Sequence, residues 1–383
     1  KAKWERKIRD EKPFEEPLSY GEALMKVLGR WNVCSKEYVV RQYDHEVQGG
    51  SVVKPLTGSQ NNGPSNAGVV RPDLNGDEGV VISHGICPKY SAFDTYHMMS
   101  CAIDEAIRNN IATGGSLDRM ALLDNFCWSD PVFSERNPEG PYKLAQLVRA
   151  NKALFDCTTF FGTPCISGKD SMKNDYIFNN IKISVPQTVL ISALSVINDV
   201  SRVVTMDFKE DGDIIIVVGK TYPEMGGSEY FAHNGLVGNI PPKVRMTLAK
   251  RTYKTIEKAI RQNLLRSCHD ASDGGLGCAL AESAFAGDVG VEIDLTAVPA
   301  SAIFRDDFLL FSESQSRFVV SIRRKDLHTF AELFRSIPFG VLGETRKDKR
   351  FILKGLQGKT IIDLPVDNLL HAWQEPFKEH FSG

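Results

Sequence analysis

The sequence predicts a two-domain protein that combines α-helices with β-strands. Its 383 residues exceed the length that a single hydrophobic core usually organises. Apolar residues make up 42% and charged residues 25% of the chain, which are ordinary proportions for a globular protein. Strand-like and helix-like segments alternate after residue 213, starting with IIIVVGK, an apolar run typical of a strand buried on both faces. The second domain is therefore predicted to be α/β or α+β.

The first domain is predicted to follow a charged N-terminal arm and to end near residue 200. The arm, up to Pro17, is expected to be exposed, and the passage 47–66, rich in Gly, Ser and Asn, is expected to be a mobile loop with turns. Helices are predicted where apolar residues recur at helical spacing, in 19–31, 97–115 and 143–162. Strands are predicted within 80–86, 119–128, 163–172 and 182–197.

The second domain is predicted to begin after a polar connector, so the two domains are assigned to residues 1–203 and 204–383. The connector is MDFKEDGD, residues 206–213. After the buried strand come a predicted loop at 221–230, a helix at 244–262, a helix start near 274 and a strand at 317–324. No short-period repeat occurs, which excludes a solenoid or a propeller.

Composition and charge exclude several functional classes. The net charge of -2 and the lack of a long basic run argue against a nucleic-acid partner. No apolar stretch approaches the roughly 20 residues of a membrane span, and the N-terminus has no apolar signal region, so we expect a soluble, cytoplasmic protein. Eight cysteines without a CxxC pair indicate free, buried thiols. Because the chain opens without Met, we expect a processed product or a fragment.

The stretch HDASDGGLGCALAESAF, residues 269–285, places polar side chains at the start of an apolar helix. Ser272 or Asp273 could cap the helix N-terminus, where an oxygen acceptor contributes about 1 kcal/mol. Alternatively, Asp270 and its neighbours suit Mg²⁺, a hard cation that takes oxygen ligands and often shares them with phosphate. The N–H groups behind the two glycines could also hold an anion. Both interpretations stay open on these residues alone.

Two loops are further candidates for ligand binding. In EMGGSEY, Gly226 and Gly227 let the backbone approach a ligand closely and Ser228 adds a hydroxyl, although such a run is often a simple turn. In SGKDS, residues 167–171, Lys169 could contact a phosphate or be a solvated loop charge.

A helix and a strand carry two more candidate pairs. Glu105 and Asn109 lie four apart on the predicted helix 97–115, so they present two oxygen ligands on one face, or simply a polar surface. Cys268 and His269 resemble a nucleophile pair, but neighbours on a strand point to opposite faces. We therefore interpret both as packing residues.

Taken together, these motifs resemble the synthetase region of the phosphoribosylformylglycinamidine synthases, which act in purine biosynthesis. The resemblance is carried by DEAIRN, GTPCISGKDSMKNDY, EMGGSEY, HDASDGGLGCALAESAF and ESQSRF. That region contains two units similar to aminoimidazole ribonucleotide (AIR) synthetase. YVVRQYDHEVQGGSVVKP near the start and HAWQEPF near the end of the chain indicate the second, C-terminal unit.

The resemblance implies an α+β fold of two domains. The sheet of the first domain would pair with a counterpart into a β-barrel across a dimer or pseudo-dimer, and a layered α/β second domain would close over the nucleotide. The family is an ATP-dependent ligase that converts formylglycinamide ribonucleotide, ATP and glutamine-derived ammonia to the amidine, ADP and phosphate. We expect the chain to bind Mg²⁺ and ATP or ADP, and to need the first synthetase half and a glutaminase domain or subunit as partners. Isolated, it is expected to form a homodimer.

The resemblance also implies roles for single residues. Glu105, Asn109 and Asp270 match Mg²⁺ ligands, and Ser272 matches a nucleotide contact. The glycines and the serine of EMGGSEY are expected on the same nucleotide.

Two segments depart from the family's pattern. Gly168 and Ser171 match nucleotide and substrate contacts, but Lys169 stands where short members of the family use an asparagine on metal. Asn66 stands where a metal-binding aspartate is common, so a metal there would be held more weakly.

A third departure concerns catalysis. The family's first unit carries a segment like ESHNHP with a proposed catalytic histidine, whereas ISHGICP here retains His84 and replaces the carboxylate with Ile82. His84 is therefore the one catalytic candidate, and the main catalytic centre is expected in the other unit. Two alternatives stay open: a scaffold half without nucleotide, or another ATP-dependent enzyme of this fold, such as a thiamine-phosphate kinase, a selenophosphate synthetase or a hydrogenase-maturation protein.

Overall fold

The strands of the chain form two large sheets and a small hairpin. A computed structural model describes residues 2–11, 13–43, 45–179 and 181–381, with side chains to residue 378, so the predicted domain limits 1 and 383 lie outside the described part. The strands up to residue 200 are Ser51–Val53 (β1), Gly68–Val70 (β2), Gly79–Ile86 (β3), Met120–Cys127 (β4), Cys165–Ser171 (β5), Asp175–Phe178 (β6), Ile181–Ser184 (β7) and Thr188–Ile197 (β8). Those that follow are Ile214–Val218 (β9), Ser267–Asp270 (β10), Gly290–Asp294 (β11), Phe318–Ile322 (β12), Phe339–Arg346 (β13), Arg350–Lys354 (β14) and Thr360–Pro365 (β15).

The first sheet has six strands in the order β1-β2-β3-β8-β4-β5, and the second has seven in the order β10-β12-β9-β13-β11-β14-β15. Neighbouring strands are antiparallel in both sheets, apart from the parallel pairs β4 with β5 and β11 with β14. The hairpin consists of β6 and β7. With the helices around them, these sheets confirm the predicted mixed α+β class.

Local sequence explains where several helices begin and end. The helices are Tyr20–Leu28 (α1), Glu37–Val40 (α2), Thr95–Ala112 (α3), Gly140–Phe161 (α4), Glu229–His233 (α5), Met246–Arg261 (α6), Gly275–Gly287 (α7), Asp306–Phe311 (α8), Leu327–Phe334 (α9) and Val366–Phe381 (α10). At the start of α1, Ser19 Oγ accepts the N–H of Glu22 at 3.3 Å. At the start of α3, the Asp94 carboxylate accepts the N–H of Tyr96 at 2.9 Å. Helix α4 ends at Gly162, which adopts the left-handed conformation with φ 79°.

The buried strand β9 separates two hydrophobic cores. Helices α3 and α4 pack on one face of the first sheet and share a core with α6, α9 and one face of the second sheet. Ile214, Ile216 and Val218 belong to this shared core. Ile215 and Val217 belong to a second core with α1, α7, α8 and α10. All five side chains are buried, which confirms the prediction of a strand buried on both faces.

Most described residues of the N-terminal arm are exposed, as predicted, but its backbone is also held against the body of the protein. The N–H of Arg9 donates to Asn239 Oδ1 at 2.8 Å, and Asn239 Nδ2 donates to the carbonyl of Arg9 at 2.8 Å. Further along, the Phe14 ring packs edge-on against Tyr230 with centroids 5.6 Å apart. The charged composition of the arm predicted its solvated side chains but not this backbone pairing.

The passage 47–66 is not the mobile loop that its composition suggests. Residues Ser51–Val53 form β1, and Thr57 and Gly63 exchange two backbone hydrogen bonds of 3.0 Å. Ser59 donates its N–H to the carbonyl of Ala286 at the end of α7, at 2.8 Å. Gly, Ser and Asn therefore mark tight turns that pack closely against a helix.

One face of the first sheet, opposite α3 and α4, is uncovered in the part of the chain that the structure describes. In β3, Val81 is buried towards the helices, whereas Ile82 and Ile86 are exposed on the other face. Val70, the partner of Val80 across β2 and β3, is exposed on that same side. We call Val70, Ile82 and Ile86 the open sheet face. The edge strand β5, beyond β8 and β4 in the same sheet, is exposed along most of its length.

Two predictions about composition can be compared with the structure. All eight cysteines are free thiols, and most are buried, although Cys165 is exposed. Among the described residues, no helix combines the length and the apolar character that a bilayer crossing requires.

Candidate functional site

A cavity of about 700 Å³ lies where the first sheet and α3 face β10 and the start of α7. We call it the central cavity. Seven of the predicted site residues line it, and they come from five separate segments: Asn66, His84, Glu105, Asn109, Gly227, Asp270 and Ser272. Trp31, Lys36, Lys89, Glu229, His269, Asp273, Glu282 and Trp373 also line it. The cavity therefore has an acidic part, two lysines and an aromatic part.

The cavity opens where β3 loses its neighbour. Strand β2 pairs with β3 only from Val80 to Ile82, so the backbone beyond that point has no strand on that side. There the N–H of Ile86 donates to Glu105 Oε2 at 2.8 Å. A Cβ on Gly85 would collide with the backbone of α3, so the glycine allows the helix to approach the strand. This contact fixes Glu105 at the cavity wall.

Asp270, predicted as a metal ligand, faces a buried arginine that the sequence analysis did not single out. Arg108 is fully buried, and its Nε and Nη2 each lie 3.4 Å from Asp270 Oδ2. Nη2 also donates to Ser272 Oγ at 2.7 Å, and Nη1 donates to Gln315 Oε1 at 3.2 Å and to Asp104. One guanidinium thus joins α3 to β10 and to the loop before β12.

The start of α7 differs from the first of the two sequence interpretations, the helix cap. The N-cap is Gly274, with φ 77°, and no side chain caps the helix, so the predicted cap by Ser272 or Asp273 is wrong. The Ser272 hydroxyl donates to Asp270 instead. The Gly274 N–H donates to Glu313 Oε1 at 2.9 Å, and the Gly275 N–H donates to the Ser272 carbonyl at 2.9 Å. The N–H groups of the two glycines are therefore bonded within the protein, and an anion at the N–H groups behind them stays a prediction.

The second glycine is required by close packing. Gly275 has φ 70°, and a Cβ there would lie 2.6 Å from the Ser312 carbonyl oxygen. A side chain would therefore be both strained and in collision. The positive φ at Gly274 and the positive φ and close packing at Gly275 explain why two glycines follow Asp273.

Glu313 lies behind the cavity wall and ties three segments together. Its Oε1 accepts the N–H groups of Gly274 at 2.9 Å and Glu229 at 2.8 Å, and its Oε2 accepts the hydroxyl of Tyr90 at 2.7 Å. Burial raises the pKa of Glu313 to about 7 in spite of these donors. Glu229 itself is balanced by Arg30 at 2.9 Å and by Lys89.

The acidic side chains of the cavity outnumber the cations that pair with them. Burial raises the pKa of Glu105 to about 7, with Arg108 opposing the rise and Asp270 adding to it. Burial also raises the pKa of Asp273, and the nearby charge of Glu313 adds to that rise. No ion pair within the described residues involves Glu105, Asp273 or Glu313. Such an excess of buried carboxyl groups favours a bound cation.

The cavity does not contain a complete metal cage. Within the described residues, no three His, Cys, Asp or Glu side chains converge on a point where they could hold a metal ion. Glu105 and Asp270 are nevertheless close enough for the charge of one to raise the pKa of the other. One or two carboxylates, completed by water and phosphate oxygens, are the usual protein contribution to a Mg²⁺ site, so these residues fit that ion.

His269 is more than a packing residue, which corrects the sequence interpretation. Its Nδ1 lies 2.7 Å from Asn66 Oδ1, and its Nε2 lies 2.8 Å from Glu282 Oε2. Burial lowers the pKa of His269, but the hydrogen bond and charge of Glu282 outweigh it and raise the pKa. The amide of Asn66 also donates to the carbonyl of Cys268 at 2.8 Å. A metal contact by Asn66 stays a prediction, and only the second lone pair of its oxygen is available for it.

The two candidate loops lie in different places. Gly227, with φ 78°, lines the cavity and leaves room for the Tyr90 ring, which a Cβ would approach to 2.9 Å. Gly226 and Ser228 do not line it: the Gly226 N–H donates to the Ile240 carbonyl at 2.8 Å, and Ser228 caps α5. Of the three residues predicted in EMGGSEY, only Gly227 lines the cavity, and Glu229 of the same motif lines it too.

The SGKDS motif lies outside the central cavity. Gly168, Lys169 and Ser171 are part of β5, and none of them is among the residues that line the cavity. Lys169 is exposed, and its amine donates to the Ser171 hydroxyl. Within this chain the motif therefore does not meet Glu105 and Asp270, and its ligand contacts stay predictions.

Sequence reasoning missed Arg108, Glu313, Lys36 and Lys89. Arg108 lies inside DEAIRN, four residues after Asp104 on the same side of the helix, so an ion pair within the helix was detectable in principle. Glu313, in FSESQSRF, has no comparable local signal because its partners lie 39 and 84 residues away in the chain.

With this geometry in view, the chain can be compared with known proteins. Residues 210–355 match the family model described as AIR synthase related protein, C-terminal domain. The PurL subunit of phosphoribosylformylglycinamidine synthase from Thermococcus sibiricus is 34% identical over 347 residues, which cover 90% of this chain and 45% of that protein. The PurL subunit of Methanocaldococcus jannaschii is 31% identical over 373 residues, covering 96% of this chain and 48% of that protein.

Solved structures share the fold at low sequence identity. Thermotoga maritima PurL complexed with FGAR superposes with a TM-score of 0.70 at 19% identity, covering 94% of this chain and 55% of that one. The same protein complexed with ATP gives a TM-score of 0.62 at 18% identity, covering 93% and 55%. A HypE–HypF complex gives 0.61 at 17% identity, covering 86% and 99%.

The solved structures agree with the two-sheet architecture. The chain spans about half the length of the curated relatives that it matches. It is therefore a homologue of the PurL subunit of phosphoribosylformylglycinamidine synthase over about half of that subunit, and it carries an AIR synthase related C-terminal domain.

Proposed function

We propose that this chain is the second, C-terminal unit of the synthetase region of a phosphoribosylformylglycinamidine synthase, and that its central cavity binds a magnesium–adenine nucleotide. The main support is that DEAIRN, EMGGSEY and HDASDGG, which are distant in sequence, contribute side chains to one cavity. The carboxyl groups of that cavity outnumber the cations that pair with them. Residues 1–203 and 204–383 would be its two domains. Turnover of formylglycinamide ribonucleotide would depend on the other synthetase half.

The proposed Mg²⁺ ligands come from α3 and from β10, which both line the cavity. Glu105, Asn109 and the Asp270 oxygen that faces away from Arg108 would hold Mg²⁺ together with phosphate oxygens. When bound, Mg²⁺ would neutralise charge on the phosphates. The amines of Lys36 and Lys89, which line the same cavity, would add cations towards the phosphate chain. The aromatic part, with Trp31 and Trp373, suits a planar base.

The nucleotide proposal is tested by calorimetry. Mg-ADP is expected to bind the purified chain, and Glu105→Gln is expected to weaken binding by about tenfold or more, because a charged ligand becomes neutral at a cost of about 1.4 kcal/mol per tenfold. The amide oxygen of the introduced glutamine can still accept the N–H of Ile86, so the wall should keep its shape. The control Glu135→Gln removes an exposed carboxylate remote from the cavity lining and should bind as the unaltered chain does. Absence of Mg-ADP binding by the unaltered chain would refute the proposal.

A scaffold function is the second candidate. It is favoured by the hydrogen bonds that Arg108 and Ser272 donate to Asp270 and by the bond between Arg108 and Ser272. In this function the Asp270 carboxylate would serve the packing of α3 against β10. In that case Asp270→Ala would change neither nucleotide affinity nor assembly. A large loss of Mg-ADP affinity in that variant would support the nucleotide site instead.

The proposed partners are the other synthetase half and a glutaminase domain or subunit. One structural neighbour is described as PurLQS from Thermotoga maritima, in which PurL is part of a larger assembly. The open sheet face and the exposed edge β5 suit a second AIR-synthetase-like unit, since a monomer seldom leaves a large apolar sheet face uncovered.

Without its other half, the chain is expected to pair with itself through this surface. Light scattering at micromolar concentration should give a dimer, and Ile166→Asp on β5 should give a monomer. Val148→Asp is the matched control, because Val148 on α4 is 61% exposed and Ile166 is 63% exposed, but α4 covers the opposite face of the sheet. A clean monomer of the unaltered chain would contradict this interface.

A further inference from the structure

A second cavity, of about 220 Å³, lies under the N-terminal arm and shares no lining residue with the central cavity. We call it the arm cavity. It is lined by Trp4, Arg6, Phe93, Asp94, His97, Pro241 and Lys243. Its walls therefore come from the arm, the start of α3 and the loop before α6.

The arm cavity has an excess of positive charge. Arg6 and Lys243 take part in no ion pair within the described residues, and the Arg6 guanidinium donates only to the carbonyl of Asn239 at 2.8 Å. Asp94 is the one carboxylate in the lining, and the Arg149 guanidinium neutralises it through two hydrogen bonds, one of 2.8 Å. Two cations thus face the cavity without a counter-charge.

The histidine in the wall is consistent with this charge balance. Burial lowers the pKa of His97, Asp94 opposes that fall, and the nearby charges of Lys243, Arg149 and Arg6 lower the pKa further. His97 is therefore neutral near pH 7 and can offer one N–H to a ligand. The uncompensated charge is that of Arg6 and Lys243, about two units.

An orphaned donor lies in the same cavity. Trp4 Nε1 is buried and has no hydrogen-bond partner, while the Trp4 ring is held by the Arg149 guanidinium 3.8 Å from its centroid. A buried donor without an acceptor is unfavourable, because it has lost its hydrogen bonds to water. The cavity therefore combines an unused N–H donor with two uncompensated cations.

We propose that the arm cavity binds a phosphate group, as inorganic phosphate or as a phosphate monoester. A dianion matches the two uncompensated cations, and its oxygens can accept from Trp4 Nε1, Lys243 and Arg6. The site is independent of the proposed nucleotide site. Its occupant would join the arm to the loop whose Ile240 carbonyl accepts the Gly226 N–H, so binding is expected to slow amide exchange in residues 237–240.

The test uses the whole chain and inorganic phosphate. Titration is followed by calorimetry and by the indole ¹H–¹⁵N signals of the four tryptophans, with the Trp4 signal assigned through Trp4→Phe. Phosphate should shift the Trp4 signal, and Lys243→Gln should weaken binding by about tenfold or more. Lys7→Gln is the control, because Lys7 lies on the same arm over the Tyr142 ring and outside the cavity lining. It should leave phosphate affinity unchanged.

Other outcomes decide the ligand class. Tighter binding of ribose 5-phosphate than of inorganic phosphate would identify a monoester, and the reverse would identify the free ion. Acetate binding as tightly as phosphate would overturn the phosphate assignment. No phosphate binding at millimolar concentration, or phosphate binding that neither Lys243→Gln nor Trp4→Phe alters, would overturn the site itself.

Discussion

Replacing Arg108 with methionine is expected to lower the free energy of unfolding by about 3–5 kcal/mol, because it leaves buried carboxylates without their cation. Arg108 is fully buried and contacts Asp104, Asp270 and Ser272 at once. Methionine has a similar length but cannot donate a hydrogen bond. Asp104 keeps donors from Ser316, at 3.0 Å and 2.6 Å, so its charge stays while its counter-charge is removed.

Urea denaturation at neutral pH measures this loss. The free energy of unfolding of Arg108→Lys should lie between those of the unaltered chain and Arg108→Met. An ammonium keeps the charge but cannot contact three partners as the rigid guanidinium does. Arg346→Met is the control: Arg346 also pairs with two carboxylates, Glu292 and Asp348, but its side chain is 35% exposed. Exposed ion pairs contribute about 0–1 kcal/mol to stability, so Arg346→Met should change the free energy of unfolding little. A loss below about 1 kcal/mol in Arg108→Met would contradict the assigned role.

The second large effect concerns Glu313 and depends on pH. The folded-state pKa is raised to about 7, chiefly by burial, from an ordinary value near 4.5. The folded protein therefore binds this proton more tightly than the unfolded chain does. The stabilisation is fully present below about pH 4.5 and is lost as pH rises through about 7, with a total change of about 3 kcal/mol at about 1.4 kcal/mol per pKa unit.

Glu313→Gln separates this titration from the others. Glutamine imitates the protonated acid, since its oxygen can accept the N–H groups of Glu229 and Gly274 and its amide can donate to Tyr90. The variant should match the unaltered chain near pH 5 and be more stable by about 3 kcal/mol near pH 8 in urea denaturation without divalent cations. Glu135→Gln, at an exposed position, should show no such trend. A difference that stays constant from pH 5 to 8 would disprove the raised pKa.

Local patterns in the sequence predicted the elements that frame the central cavity. The apolar run 214–218 identified a strand buried on both faces, and helical spacing identified α3 with Glu105 and Asn109 on one side. Both side chains line the central cavity. These predictions succeeded because the periodicity of burial is set by neighbours within a few residues along the chain.

Local patterns were misleading where a distant residue supplies the partner. Ser272 has the right type and position for an N-cap, yet its hydroxyl donates to Asp270 and the helix N–H goes to Glu313, 39 residues further along the chain. Asn66 and His269 meet across 203 residues. Capping preferences are worth about 1 kcal/mol, so a buried carboxylate from another segment can replace them.

The sequence by itself determined the mixed α+β class, most of the strands and helices around the cavity, and a set of acidic and glycine-rich motifs. Only the tertiary structure decided which motifs meet: it brings Glu105 and Asp270 into one cavity and leaves SGKDS on an exposed edge strand. The physical reason is that hydrophobic periodicity reports which side chains are buried. The partner of a buried charge depends on which distant segments cross at that point, and no short window of sequence contains both.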